Sequence, residues 1–267
     1  HFSIHQKNEP ITLHTSDEFG DLAGALNIIA EDLNNFDDYQ RAFISNISHD
    51  FRSPLTSIHG YAQAMLDGTI PYEAQEKYLN IILSETDRLT NLTSNLLELN
   101  SFNGDNVLLD ITTFNICETI VQTVNTLEGT AAKKEISFVL DYNTQKELLV
   151  EADESKIHQV LYNLIDNAVK FSHNNSEIKI SLRKKGAKVF VSVKDSGIGI
   201  PKESLNKVFD RFYKTDISRG KDKRGTGLGL SISKEIVQAH NQTINVVSTV
   251  DVGTEFVFTL KYHSKKQ

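Results

Sequence analysis

From Phe19 onward, apolar residues recur at alternating steps of three and four: Phe19, Leu22, Leu26, Ile29, Leu33, Phe36, the polar Gln40, then Phe43 and Ile47. This is the a/d seam of a coiled coil, so the spacing predicts one long amphipathic helix. Beyond Ile47 the apolar positions are Phe51, Leu55, Ile58, Ala62 and Met65. Two successive steps of four there shift the phase as a stutter does. The stretch DGTIP, Asp67 to Pro71, breaks the pattern. A second helix then carries Tyr78, Ile81, Glu85, Leu89, Leu92, Leu96 and Leu99 on one face. Two helices joined by a short loop predict an antiparallel hairpin. Its long apolar stripes need a partner, and self-association into a dimeric four-helix bundle is the simplest one.

SFNGDN ends the second helix, and the pattern changes from about Ile111. A helix over 115–133 precedes short alternating strands at ISFVLDY and LLVEAD, then a helix over 154–171. Strands follow at EIKISLRKKG and KVFVSVKDSG, then a polar, glycine-containing loop. A helix at LGLSISKEIVQAH and strands at TINVVST and TEFVFTL close the chain. Helices grouped against an apparently antiparallel sheet predict an α+β fold for this half.

Composition removes several function classes. The 267 residues carry a formal net charge of -7, so no strongly basic surface points to nucleic acid. No stretch approaches the roughly 20 apolar residues of a membrane span. The single cysteine, Cys117, rules out an internal disulfide and sits in an amphipathic helix, which points to a buried structural thiol. The chain starts without a methionine, and a piece of a longer protein is expected.

The stretch FISNISHDFRSPLTSIH places His49 roughly 200° around the helix from Ile47, away from the apolar seam. A lone exposed histidine is usually only a solvated side chain. Pro54 weakens that reading, because it leaves the Asp50 carbonyl without its helical donor, at a cost on the order of 3 kcal/mol. A neutral imidazole has a free nitrogen lone pair near pH 7, and a carboxylate such as Asp50 can hold the other ring N–H.

Four further blocks lie in the second half. NLIDNAVKF sets Asn163 and Asn167 on one helix face, with Lys170 within a turn. An amide carbonyl such as that of Asn167 is a hard oxygen ligand that suits Mg²⁺. DSGIGIP follows a strand and supplies Asp195, Gly197 and Gly199: an acid able to accept from an exocyclic amine, and glycines that allow close backbone approach. RGTGLGL sets Gly225, Thr226, Gly227, Leu228 and Gly229 at a helix start, where backbone N–H groups can cradle phosphates. Between them FDRFYKTDISRGKDK combines Phe209 and Phe212 with a basic stretch, either a lid with aromatic hinges or a plain solvated loop. Each block alone is weak; their order and spacing carry the weight.

The ensemble resembles the catalytic domain of bacterial sensor histidine kinases, within the Bergerat-fold ATPase superfamily. The block around His49 resembles their dimerisation and phosphotransfer domain, and SDEFGDLAGALNIIAEDL resembles the second helix of a HAMP signalling module. The resemblance implies three regions: 1–42 partial HAMP and signalling helix, 43–110 dimerisation and phosphotransfer, 111–267 an α+β sandwich that binds ATP. It implies His49 as phosphoacceptor, Asp50 as its base or orienter, and Asn167 as the magnesium ligand with Asn163 as a second contact. Lys170 matches a phosphate contact, Phe171 a stacking position, and Asp195 the acid that reads adenine. Phe209 and Phe212 match the base of the lid, the run from Gly225 to Gly229 the second glycine box, and Thr254 a residue near adenine. Arg219, Lys221, Lys223 and Arg224 are equal candidates for a lid contact to phosphate. Implied partners are a second copy and the aspartate of a response regulator, with no nucleic acid. Upstream membrane segments would make this the cytoplasmic portion of a cell-membrane protein.

Three positions depart from the usual family pattern. Phe171 replaces a common Tyr, Asp50 a common Glu, and Ser53 stands where members that also dephosphorylate their partner tend to carry Thr or Asn. A related ATP hydrolase would carry a glutamate at position 163 to activate water, and the amide of Asn163 cannot accept that proton. A nucleotide-binding scaffold is the non-enzymatic alternative, against which the intact motifs count. Replacing Pro54 with Ala should stiffen the helix and blunt signal dependence; autophosphorylation unchanged in rate and regulation in the intact receptor would refute this.

Overall fold

The computed structural model describes residues 11, 18–101, 108–142, 147–215 and 225–264. Arg219, Lys221, Lys223, Arg224 and most of the SFNGDN linker lie outside these described residues. Residues 1–86 and 87–267 form two compact bodies, so the division falls within the second helix of the hairpin.

In the first body, α1 (Glu18–Leu66) is one continuous helix of 49 residues that runs through Pro54 without interruption. The seam residues Phe19, Leu22, Leu26, Ile29 and Leu33 are all exposed on the single chain. At the turn, the Asp67 carboxylate accepts from Thr69 N at 3.0 Å, and Gly68 adopts φ 78°. Ile70 is buried and donates its N–H to the Ala64 carbonyl at 2.9 Å. A 3₁₀ turn, Tyr72–Ala74, leads into α2 (Gln75–Ser101). Tyr61 and Tyr78 then meet at 5.1 Å between ring centres, which brings the two helices side by side near the turn. The predicted hairpin is present. Among the described residues no helix is long and apolar enough to cross a membrane.

In the second body a seven-stranded sheet runs β1 (Thr112–Asn115), β3 (Leu149–Ala152), β7 (Gly253–Tyr262), β5 (Lys188–Lys194), β4 (Glu177–Lys185) and β2 (Ser137–Asp141) in spatial order. β6 (Ile244–Thr249) pairs with the first part of β7. The sheet is mixed rather than antiparallel, because β2 pairs parallel with β4. Alternation along a strand reveals which face is buried, not the direction of its neighbour. β1, only four residues long, also gave no alternating signal of its own.

Side chains from the core face line up in rows across the sheet. Leu182 opposes Val191, which opposes Phe258, and Ile180 opposes Val193, which opposes Phe256. All six are buried. α3 (Ile116–Ala132), α4 (Glu154–Phe171) and α5 (Gly229–Ala239) belong to the same body, with α4 packed between the other two. α4 contributes Ile157, Val160, Leu161, Leu164, Ile165 and Ala168 to the core, a period of three and four. Cys117, on α3, is buried, and burial pushes its thiol above the ordinary range.

Asp153 caps the start of α4. Its Oδ1 accepts from Lys156 N at 3.1 Å and from the Ser155 hydroxyl at 2.8 Å, while Oδ2 accepts from Asp110 N at 3.1 Å. Its own N–H donates to His240 Nε2 at 3.0 Å, and His240 Nδ1 lies 2.7 Å from the Ile236 carbonyl. The imidazole therefore carries its proton on Nδ1. Lys156 also donates to Glu98 at 2.7 Å, and Gln159 donates to the other oxygen of the same carboxylate, which ties the end of α2 to the first turns of α4. Removing the Asp153 carboxylate orphans several donors at once. Asp153→Ala should cost about 2 kcal/mol or more of stability in urea unfolding followed by circular dichroism.

Candidate functional site

His49 stands on α1 with 82% of its side chain exposed, and its Nδ1 lies 3.4 Å from Asp50 Oδ1. Asp50 is mostly buried by comparison, at 18%. The contact is long for a hydrogen bond but orients the ring. Nε2 has no partner among the described residues. Ser53, one turn on, is exposed. Ser48 and Thr56 turn their hydroxyls back onto the carbonyls of Ile44 and Arg52, at 2.8 Å each, whereas Ser53 makes no hydrogen bond among the described residues. This segment of α1 thus presents a nitrogen, a carboxylate and an uncommitted hydroxyl.

In the second body β5 ends at Lys194, and Asp195 follows directly with 5% exposure. Its Oδ1 accepts from Gly197 N at 3.0 Å and Thr254 N at 3.1 Å, while Asp195 N donates to the Thr254 carbonyl at 2.8 Å. Oδ2 makes no hydrogen bond among the described residues. Burial pushes the carboxyl up to about 6, against the opposing pull of the Thr254 and Gly197 N–H groups and the charge of His173. The group remains an ionised acceptor at neutral pH, with one oxygen left without a donor among the described residues.

Glycines let the backbone close around this acid. A Cβ on Gly197 would fall 2.3 Å from the Phe171 carbonyl oxygen, and one on Gly199, at φ 68°, would fall 2.1 Å from that of Thr249. Both contacts are with backbone, so neither position admits a side chain without displacing a strand or a helix end. Thr254 is buried, and Phe171, at the end of α4, is half-buried.

The remaining sequence-predicted residues gather on α4 and the start of α5. Asn163 Nδ2 donates to the Gly229 carbonyl at 3.1 Å and lies 3.4 Å from Ser233 Oγ, so its amide nitrogen fastens α5 to α4. Asn167 makes no hydrogen bond among the described residues. Lys170 Nζ pairs with Asp166 at 2.7 Å along the helix. Gly227 has φ 71° and accepts at its carbonyl from Phe212 N at 3.0 Å. Phe209 stacks edge-on against Phe256 at 6.1 Å. Thr226 Oγ1 accepts from Leu228 N at 3.3 Å, Leu228 is fully buried, and the Gly225 carbonyl accepts from Lys214. Gly229 opens α5.

Among the described residues no group of three or more His, Cys, Asp or Glu side chains could hold a metal ion. A carboxylate cage for a cation is therefore not built among them. Asn167 offers an uncommitted amide oxygen that fits a magnesium ion whose other ligands are phosphate and water. Two contributors were missed by the sequence reading. Gly253, at φ 138°, brings a would-be Cβ to 2.1 Å from the Asp195 carbonyl oxygen, and Ser248 bonds Thr254. Gly253 had a signal, since a glycine directly precedes the predicted strand TEFVFTL that begins at Thr254. Ser248 had none beyond being polar in a strand.

Residues 152–264 match the family described as histidine kinase-, DNA gyrase B- and HSP90-like ATPase, and residues 39–104 match the His Kinase A (phospho-acceptor) domain. The sensor histidine kinase WalK of Bacillus subtilis (strain 168) is 34% identical over 94% of this chain and 41% of its own length. The sensor protein kinase WalK of Staphylococcus aureus is 36% identical over 83% of this chain and 53% of its own length. The chain thus spans about half or less of the curated relatives it matches. The solved structure of histidine kinase ThkA in complex with response regulator protein TrrA is similar with a TM-score of 0.68 and 31% identity, covering 85% of this chain and 63% of that one.

Asp195 makes two predictions. A ligand that donates to its carboxylate should bind about tenfold more weakly at pH 5 than at pH 7, because the group protonates near 6; titration by calorimetry at both values checks this. The native carboxyl holds its proton more tightly than the unfolded one, so it lowers stability above about 6, an effect that fades as pH falls toward 3.8. Asp195→Asn should accordingly abolish the pH dependence of binding without lowering the melting temperature of the ligand-free chain at pH 7. With a helical hairpin bearing His49 and a sheet domain bearing Asp195 and the glycine boxes, the chain belongs to the family of two-component sensor histidine kinases.

Proposed function

We propose that this chain is the ATP-dependent, autophosphorylating portion of a sensor histidine kinase, which phosphorylates His49 and passes the phosphoryl group to an aspartate of a response regulator. The observation that carries the reading is His49 itself: an exposed imidazole with Asp50 at one nitrogen and no partner at the other among the described residues. Asp195 Oδ2 accepts from the exocyclic amine of adenine, with Thr254, Gly197, Gly199 and Phe171 around the base. Gly225 to Gly229 and the start of α5 lie along the phosphates, with Phe209 and Phe212 at the base of a lid. Lys170 would exchange Asp166 for phosphate. Asn167 would hold a magnesium ion, which would supply charge neutralisation at the phosphates.

The chain's own work is then positioning and proton handling. Neutral His49 keeps its Nδ1–H toward Asp50 and attacks the γ-phosphorus through the Nε2 lone pair. The Nε2–P bond forms as the bond from phosphorus to the β–γ bridging oxygen breaks, and ADP leaves with that electron pair. Asp50 stabilises or removes the Nδ1 proton of the imidazolium that results. Hydrolytic use of ATP is disfavoured because Asn163 has no basic oxygen and its amide is engaged with Gly229. Ser53, exposed and uncommitted, supports a second activity, dephosphorylation of the regulator, through a water held by its hydroxyl.

The exposed seam of α1 supports a homodimer through the hairpin. The three regions 1–42, 43–110 and 111–267 serve as signalling helix, phosphotransfer unit and ATP-binding unit. The HAMP resemblance supports a position just inside a cell membrane, anchored by upstream segments. The ThkA–TrrA complex supports a receiver domain as the partner. Incubation with Mg²⁺ and γ-labelled ATP should give acid-labile, alkali-stable label that His49→Gln abolishes. No label with ATP still bound would favour the scaffold instead.

A further inference from the structure

Ser248 lies on β6 directly opposite Thr254 on β7. Its Oγ is 2.8 Å from Ile200 N, 2.8 Å from the Gly253 carbonyl and 2.9 Å from Thr254 Oγ1. These three contacts fix where the hydrogens go. The Ile200 N–H can only donate, so Ser248 accepts there. The Gly253 carbonyl can only accept, so it takes the single hydroxyl hydrogen of Ser248. A 2.9 Å approach of two oxygens also needs a hydrogen between them, and only the hydroxyl of Thr254 is left to supply one. Thr254 therefore donates to Ser248, and whatever lies on the other side of Thr254 Oγ1 meets lone pairs.

Thr254 shares its backbone with Asp195 in both directions, through Thr254 N to Oδ1 and Asp195 N to the Thr254 carbonyl. Oδ2 of Asp195 is likewise an acceptor without a donor among the described residues. Both side chains at this end of the pocket thus present acceptors. We propose that Ser248 is the specificity-determining positioning residue of the nucleotide pocket: by holding the Thr254 proton it commits the pocket to bases that offer a donor at the 6-position. This rests on the assignment of Asp195 and Thr254 to the base. Adenine brings an amine to that edge, whereas guanine brings a carbonyl oxygen, which would face two acceptors unrelieved. With Ser248 removed, the Thr254 hydroxyl can turn and donate, and the guanine carbonyl gains a partner.

The same residue also joins the turn after Asp195 to the β6–β7 hairpin, so a plain structural role must be separated from this one. Binding of ADP and GDP with Mg²⁺ to the full chain, measured by calorimetry, does so without requiring phosphoryl transfer. Ser248→Ala should lower the ADP:GDP affinity ratio by at least about tenfold, with ADP weakened and GDP not weakened in proportion. Ser248→Thr, which keeps the hydroxyl, should restore the ratio to within about twofold of the parent. Thr254→Val, which leaves the other two bonds of Ser248 in place, should weaken ADP without improving GDP, and adding Ser248→Ala to it should leave the ratio unmoved. Equal losses for ADP and GDP in Ser248→Ala, or a GDP gain in Thr254→Val, would overturn the proposal. A parent chain that binds both nucleotides alike would overturn it too and leave the kinase reading standing. A parent that binds neither would remove the nucleotide pocket itself, and the proposal with it.

Discussion

The second body is organised around a buried carboxylate that cannot satisfy itself. Asp195 sits at the end of a central strand, gives one oxygen to two backbone N–H groups and, among the described residues, keeps the other without a donor. Burying a charge in this way is tolerable only if the surrounding backbone comes very close. The close approach explains the glycines. Gly197 lies against the end of α4, Gly199 against the β6–β7 hairpin, and Gly253 against the Asp195 carbonyl, each at a distance that excludes a Cβ. Sheet, helix end and hairpin are thereby locked around one acid at the candidate site.

α4, whose end lies against Gly197, links the surroundings of this acid to the rest of the body. Its apolar face fills the core, and its polar face carries Asn163 and Asn167. Its first turns hold Asp153, Lys156 and Gln159, which receive the chain at Asp110, the end of α5 at His240 and the end of α2 at Glu98. One helix thus carries candidate site residues along its polar face and, at its start, the connections to α2, to α5 and to the chain at Asp110.

Much of this was legible in the sequence, and the reason differs by element. The hairpin and α4 follow from periodicity, since a helix face repeats within a few residues and needs no distant partner to be recognised. The motifs followed from order along the chain. What escaped was non-local. The parallel pairing of β2 with β4 depends on a crossover through β3 and α4, and β1 is too short to show a period. Asn163 reads as a ligand candidate by type, yet its nitrogen is engaged with a carbonyl many residues away. Ser248 looks like any polar strand residue until its three neighbours, one from another segment and two from its own hairpin, are known. Residue type reveals what an atom can bond; only the fold reveals what it has already bonded.

The continuity of α1 has a geometric consequence for His49. At 49 residues without a break, the helix is a shaft about 70 Å long, with the imidazole beyond its midpoint. Each residue advances the shaft by about 100°, so the compass bearing of His49 relative to the seam at Phe19 is set by the number of residues between them. Any one-residue insertion or deletion along that stretch would swing the ring to another side of the helix while leaving every local contact of His49 intact. The facing of the imidazole is written in a count, not in a bond.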